Sequence, residues 1–374
     1  MSWLRLIRSR RVGVATFSRL LEEYGSARAA LLALPEIAKA AGVHSYEPCP
    51  EGVAVAELRA GKAAGARLLC RGEPAYPQAL AELSDAPPVL WALGDTSHLA
   101  RPMVALVGAR SASSLGTRMA RKLAEGLGAA GITVVSGLAR GIDAAAHAAA
   151  LPTGTVAVMA GGVDVIYPAE NAALAGEIAA KGLLLSEQPM GLAPLARHFP
   201  LRNRIISGLA RAVVVVEAAA RSGSLITART ALDQGRDVLA VPGHPFDGRA
   251  SGCNMLIRDG ATLVRGVEDV RAALALAVPA ERRAADPADP TADPTAAPTD
   301  STPGTPPSAP ERGWRDMAAL HRRILDRLGP SPVAEDQLIR DLALPAAAIA
   351  PELVALELDG RIERQAGGLL TRTG

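Results

Sequence analysis

Two short segments carry the residues whose types and spacing could do chemistry. Gly108-Ala109-Arg110-Ser111-Ala112-Ser113-Ser114-Leu115-Gly116 and Ser136-Gly137-Leu138-Ala139-Arg140-Gly141-Ile142-Asp143 each combine glycines, hydroxyls and an arginine. Glycines let a ligand approach backbone amides, and a helix N-terminus after such a turn adds partial positive charge, so both segments suit phosphate. Arg110 and Arg140 sharpen that expectation, because a guanidinium pairs with phosphate through a planar fork. The plainer alternative is a pair of ordinary tight strand-to-helix turns. Three further segments have the same character: Gly161-Gly162 with Tyr167-Pro168 and Asn171, then Phe199-Pro200-Leu201-Arg202-Asn203-Arg204, then Arg221-Ser222-Gly223-Ser224-Leu225-Ile226-Thr227. Arg202 and Arg204 flank Asn203, giving two forks and an amide able to reach a base edge, although a surface salt bridge accounts for such a triplet equally well.

The elements that must position these segments are short apolar runs alternating with helical stretches, the pattern of a parallel sheet flanked by helices. Strands are expected at Met103–Ala109, Ile132–Ser136, Thr155–Ala160, Leu183–Ser186, Ala212–Glu217 and Asp237–Val241, with a short one at Thr262–Val264. Helices are expected to begin near Ser114, Ile142, Pro168, Arg202 and Leu225. In an open sheet of this kind ligands bind outside the carboxyl ends of the strands, where all five segments fall. The first turn is not G-x-G-x-x-G and no acidic residue ends the second strand, which disfavours a dinucleotide dehydrogenase.

Catalytic readings are weaker. Asp143 and His147 lie four apart on one helical face and could form an acid–base pair, but such a pair more often orients a loop or satisfies a helix terminus. Ser222, Ser224 and Thr227 have no base in their own segment, although His244 follows a later strand. Cys49, Cys70 and Cys253 are scattered and odd in number, and the six histidines show no ligand spacing, so neither a disulfide framework nor a metal site is expected. No cofactor is expected either.

Of the 40 basic residues only Lys39, Lys62, Lys122 and Lys181 are lysines, so any positive surface is an arginine surface. The net charge of +2 does not by itself indicate nucleic acid, but residues 101–275 hold eighteen Lys/Arg against thirteen Asp/Glu, and 313–374 hold eight against nine. The middle of the chain is the better candidate for an anionic partner. Hydrophobic residues make up 49% and aromatics 3%, so the core is aliphatic. The basic stretch Met1–Arg11 lacks a following apolar region, and no run of eighteen apolar residues exists; no signal peptide, no membrane partner and a cytoplasmic location are expected.

Four parts are expected. Residues 1–65 carry helical periodicity (Leu4, Ile7; Phe17, Leu20, Leu21, Tyr24; Leu31, Leu32, Leu34), and Val12-Gly13-Val14 could form the turn of a helix-hairpin-helix or a purely structural cap. Residues 66–278 hold an extended connector, with a strand at Val89–Leu93, and the α/β core. Residues 279–312 are Pro/Ala/Asp/Thr-rich and read as a flexible linker. Residues 313–374 give three helices, 314–328, 335–342 and 346–358, and a hairpin about Gly367-Gly368, which suggests a winged helix. Its helix over 346–359 carries Glu352, Glu357 and Asp359 and no Lys or Arg, unlike a major-groove reader.

The run Val107-Gly108-Ala109-Arg110, the second turn with Ala146-His147, Tyr167-Pro168 with Asn171, Phe199-Pro200 with Arg202-Asn203-Arg204-Ile205-Ile206-Ser207-Gly208-Leu209, and Arg221 to Thr227 together resemble the DprA/Smf DNA-processing family. Gly235-Arg236-Asp237-Val238 and Val241-Pro242-Gly243 complete the set. The resemblance spans about 66–275 and implies a Rossmann-like core, single-stranded DNA binding, loading of the RecA recombinase, a role in natural transformation and no enzymatic activity. The DNA-binding set it implies is Gly108, Arg110, Ser111, Ser136, Gly137, Arg140, Gly141, Asn171, Arg202, Asn203, Arg204, Ser222, Gly223, Ser224 and Thr227. It also implies a homodimer through the far end of the core, where this chain has Met255, Leu256, Ile257 and Leu263. Two positions depart from the family: Ala109 stands where a serine is usual, and Ala169-Glu170 where a basic residue often follows Tyr-Pro. The alternatives are a phosphoribohydrolase-like nucleotide enzyme, whose P-G-G-x-G-T-x-x-E loop and catalytic Glu are missing here, and a winged-helix transcription regulator.

Overall fold

The computed structural model describes residues 1–41, 43 and 45–276, and in the C-terminal part 324–325, 333–334, 338, 342, 349, 353, 356, 361–365 and 369–372. Two compact units result, Met1–Pro287 and Ala288–Gly374. The expected linker over 279–312 lies outside the described residues.

The first unit opens with four helices, α1 (Ser2–Arg8), α2 (Val14–Tyr24), α3 (Ala27–Ala40) and α4 (Glu51–Ala63). The apolar stripes of the first three meet in one cluster of Leu6, Phe17, Leu20, Leu31 and Leu34, as amphipathic helices require. At the turn before α2 the left-handed residue is Arg11 (φ 63°), while Gly13 is ordinary extended backbone (φ −90°). The glycine is therefore not what bends that turn.

The core follows as β1 (Arg67–Cys70), α5 (Gln78–Ala81), β2 (Val89–Gly94), β3 (Met103–Gly108), α6 (Ser114–Ala129), β4 (Thr133–Ser136), α7 (Ile142–Ala150), β5 (Thr155–Val158), α8 (Ala172–Lys181), β6 (Leu183–Ser186), α9 (His198–Leu209), β7 (Ala212–Glu217), α10 (Ser224–Asp233), β8 (Asp237–Ala240), α11 (Ser251–Arg258), β9 (Thr262–Leu263) and α12 (Val267–Leu276). Its strands form a nine-stranded sheet in the order β1-β2-β6-β5-β4-β3-β7-β8-β9. From β6 to β9 every pairing is parallel; β2 runs antiparallel to β6, and β1 to β2. Alternate residues of the central strands feed two cores. Val104 and Leu106 of β3 with Val214 of β7 pack under α6, α7 and α12, while Ala105, Val107, Val213 and Val215 pack under α9, α10 and α11. That double burial is why these strands read as continuous apolar runs.

The chain winds from β3 outward through β4, β5 and β6, then returns to place β7 on the other side of β3. Strand order therefore reverses between β3 and β7, and the crevice beyond their carboxyl ends is where such sheets take ligands.

The four-helix part is fastened to this core by a buried ionic joint. Arg8 donates to both carboxylate oxygens of Glu57 (2.9 and 3.1 Å) and to the backbone oxygen of Glu187 (3.1 Å). Glu57 also accepts from the Trp91 indole N–H at 2.8 Å. A side chain at Gly61 would collide with the Trp91 ring at 2.2 Å, so α4 can approach β2 this closely only with glycine there.

In the second unit β10 (Val333–Ala334), β12 (Leu369–Arg372) and β11 (Ile362–Gln365) form an antiparallel sheet in that order. Its described helical residues, Ile324, Leu325, Leu338, Leu342, Ile349, Leu353 and Leu356, are buried together with Ile362 and Leu370. They fall inside the three helices expected from the sequence; the strand β10 was not foreseen.

Candidate nucleic-acid interface

Beyond the carboxyl ends of β3 and β7 lies an open crevice of about 640 Å³. Gly108, Arg110 and Ser111 line it from the β3–α6 turn, Phe199, Arg202 and Asn203 from α9, and Arg221, Ser222, Gly223, Ser224 and Thr227 from the β7–α10 turn. Arg249 contributes from the loop after β8. Nine of the expected site residues thus converge, from two strand-to-helix turns and from α9.

The first two turns are locked together. The Ser113 hydroxyl accepts from the Gly116 amide (2.9 Å), capping α6, and donates to the Glu217 carboxylate, which also accepts from the Ser113 amide (2.9 Å). Gly141 takes the left-handed region (φ 73°), and a Cβ there would lie 2.2 Å from the Ala109 oxygen. The Ile142 amide can then donate to that same oxygen at 3.2 Å. Only glycine allows both the conformation and the approach. Ser136 is fully buried and donates to the Leu106 oxygen (2.6 Å), so it holds strands and does not reach the crevice.

Asp143 accepts from the amides of Gly137 (3.2 Å) and Ala139 (3.4 Å). His147, fully buried, bonds Thr155 through Nδ1 (2.8 Å). The two side chains have separate partners, so the loop-orienting role is the one the geometry fits. Burial pushes the Asp143 carboxyl up, opposed by the Arg202 guanidinium.

Arg202 forms the floor. It is 6% exposed, donates to the backbone oxygens of Gly137 and Val158 through Nη1 and to Asn203 Oδ1 through Nε (3.2 Å). Desolvation lowers its pKa to about 10, with Asp143 acting the other way, so it stays charged at neutral pH. Its donors are largely spent on the protein. Arg204, expected beside it, is not brought to the crevice. It points to the joint described above, where it pairs with Glu187 and donates to the Asp85 oxygen.

The exposed cations are elsewhere. Arg110 and Arg221 are exposed and have no carboxylate partner among the described residues. The Arg110 guanidinium lies 5.4 Å from the centre of the Phe199 ring, and Tyr167 meets that ring edge-on at 5.7 Å. A second cavity of about 340 Å³ opens on the other side of Phe199, between Arg110, Arg140, Tyr167 and Glu170. There Arg140 pairs with Glu170 at 3.7 Å, both more than half exposed. Asn171 turns away and donates to the Leu138 oxygen (2.9 Å), supporting the β4–α7 turn from behind. Arg249 was missed from the sequence; its one signal was its place in a glycine-containing turn after a core strand.

Ser222 and Ser224 bond each other (2.8 Å), and His244 lines a different cavity. Among the described residues no group of three His, Cys, Asp or Glu could hold a metal ion, and no helix is long and apolar enough to cross a membrane.

Comparison with known proteins identifies the family and the fold. The family described as DNA recombination-mediator protein A matches residues 67–275, a DprA-like N-terminal HHH domain matches 1–60, and a DprA winged helix domain matches 282–368. Protein Smf of Synechocystis sp. is 37% identical over 318 residues, 80% of this chain and 79% of that protein. The X-ray structure of DNA processing protein A from Streptococcus pneumoniae superposes with a TM-score of 0.62 at 38% identity, covering 73% of this chain and 97% of that one. A structure of DNA processing protein A from Helicobacter pylori, reported for its unique single-stranded DNA binding mode, superposes with a TM-score of 0.52 at 31% identity over 56% of this chain and 96% of that one. With its α/β core, N-terminal helical domain and winged-helix domain all matched, this chain belongs to the DprA/Smf family of DNA recombination mediators.

Proposed function

We propose that this chain binds single-stranded DNA in the β3–β7 crevice and hands it to a RecA recombinase, in DNA uptake and recombination in the cytoplasm. The observation that carries the DNA reading is the exposed, uncompensated pair Arg110 and Arg221 above turn amides, with the Phe199 ring between them and the second cavity. Amides and guanidinium groups take phosphates, and a ring offers a stacking face that every base can use. A base in a duplex is already stacked, so the crevice favours single strands with little sequence preference. The chain acts on this reading as a binder and not a catalyst: Asp143 orients the β4–α7 turn, His147 bonds the buried Thr155, and Ser222 and Ser224 bond each other while His244 lines a different cavity. The hand-over to RecA and the role in transformation rest on family membership.

Mobility assays with single-stranded and duplex DNA across a salt series test the reading. Affinity for single strands should fall steeply with salt as counterions return. Arg110→Ala should cost about 1.5–3 kcal/mol of binding, roughly a ten- to hundred-fold loss. Its unfolding transition should not move, because the side chain is exposed. Equal affinity for duplex, or an Arg110→Ala variant that binds normally, would overturn the assignment.

The homodimer belongs to the same proposal. Met255, Leu256 and Ile257 lie half-buried on α11, and Leu263, 40% exposed, sits on β9 at the edge of the sheet. An edge strand beside an apolar helix face can extend across a two-fold axis. Ile257→Glu should therefore yield a folded monomer in sedimentation, and a monomeric wild type at micromolar concentration would remove the dimer.

A further inference from the structure

A third cavity, separate from the one at Arg140, adjoins the crevice and has no role in the binding just described. It measures about 510 Å³ and lies beyond the ends of β7 and β8, against the first turns of α6. The β3–α6 turn and the loop after β8 divide the two: Ser111 and Arg249 face the crevice, while Ser113 and Asp247 face the neighbour. The floor of this cavity is apolar, with Met119, Val216, Val241 and Cys253. Its rim carries Arg118 and Lys122, four apart on one face of α6, both exposed and without a carboxylate partner among the described residues.

Two carboxylates also line it, but both are engaged. Glu217 accepts from the Ser113 amide and hydroxyl, and Asp247 is bonded by Arg249 Nε (3.1 Å) and Nη2 (3.2 Å). Arg249 offsets the Asp247 charge, whereas the Ser113 donors are neutral and leave Glu217 charged, so the two rim cations outnumber one remaining carboxylate and the field at the rim is positive. On the same loop, between His244 and Asp247, Phe246 is 94% exposed, its ring 5.6 Å from the His244 ring. An apolar slot beside two free cations and an exposed ring is the combination that holds a nucleotide of a flexible single strand: base in the slot or on the ring, phosphates on the cations.

We infer that this cavity is a second station for the same single strand, which leaves the crevice past Arg249, lays its phosphates along Arg118 and Lys122, and stacks a base on Phe246. The inference rests on the crevice reading and adds to it a direction of travel and a length.

The test separates the two by oligomer length. Thymidine oligomers of about four nucleotides fill the crevice alone, and those of about sixteen reach the second station. The R118A/K122A double variant should bind the long oligomer about ten-fold more weakly, with a salt slope smaller by about 1.4 for two lost phosphate contacts. It should bind the short oligomer as the wild type does. Arg121→Ala removes a charge from the same helix away from the cavity and should change neither. A Phe246→Trp variant should show quenching of the added indole emission with the long oligomer and none with the short. Loss at both lengths, loss in Arg121→Ala equal to that in R118A/K122A, or no loss at either length would overturn the second station. So would quenching by thymidine monophosphate equal to that by the long strand. Short-oligomer binding by the wild type, and its loss in Arg110→Ala, report on the crevice independently.

Discussion

Replacing Arg202 with alanine is expected to destabilise the core by about 3–5 kcal/mol, the cost of breaking a buried charge out of its setting. The guanidinium is 6% exposed and bonds the backbone oxygens of Gly137 and Val158, at the ends of β4 and β5. Without it those oxygens lose a charged donor, and the buried Asp143 carboxyl loses the cation that offsets its desolvation. Lysine should rescue little, because one ammonium cannot reproduce a planar fork reaching two carbonyls and Asn203. Urea unfolding followed by circular dichroism measures the effect. A variant as stable as the wild type would show that the guanidinium does not hold the floor, and any loss of DNA binding would then need another cause. Arg110→Ala, exposed at the same crevice, serves as the contrast: a large loss of binding with no loss of stability.

The second large effect is a loss of stability in acid, centred on His147. Burial, reinforced by the nearby Arg202 charge, lowers its pKa from 6.5 to about 3. The folded protein therefore keeps this imidazole neutral where the unfolded chain protonates it. The unfolded state binds more protons between those two values, so stability must fall as pH drops from about 6.5 toward 3, by up to about 5 kcal/mol. Asp143 works in the opposite sense: its raised pKa gives a contribution present below the unfolded value of 3.8 and lost as pH rises through the folded one. In urea titrations from neutral pH downward, His147→Gln should flatten the acid slope while keeping a polar group for Thr155. An unchanged slope would place the acid sensitivity elsewhere.

Much of the scaffold was legible because the central strands are buried on both faces. Leu183–Ser186 and Ala212–Glu217 are strands over the expected residues, since an unbroken apolar run has no other economical use. Arg67–Cys70 was not foreseen: only Leu69 is buried, so no unbroken apolar run marks it, and the strand exists because β2 offers it an edge. The helix expected near Arg202 starts four residues earlier, at His198, because Pro200 is tolerated in a first helical turn.

The helical geometry of α9 explains the least legible part of the site. As a loop, Arg202-Asn203-Arg204 could present both arginines to one ligand. On a helix, residues two apart are about 200° apart around the axis, so one faces the crevice and the other the joint. The glycine turns, by contrast, were readable because their conformational demand is local. Gly141 would be needed at its left-handed position whatever lay above it.

Helix α9 is thus a member shared by two structures. Its Arg202 lies under the crevice, and Arg204, barely half a turn on, grips Glu187, whose backbone is held by Arg8 from the N-terminal helices. Sequence drift at the joint is therefore not free to follow the needs of packing alone. Glu57, Glu187 and Trp91 touch nothing in the crevice, yet a change at any of them can tilt the beam on which its floor rests. In a lineage of such proteins these three positions should vary in concert, as a set under a selection pressure that originates at a surface they never meet.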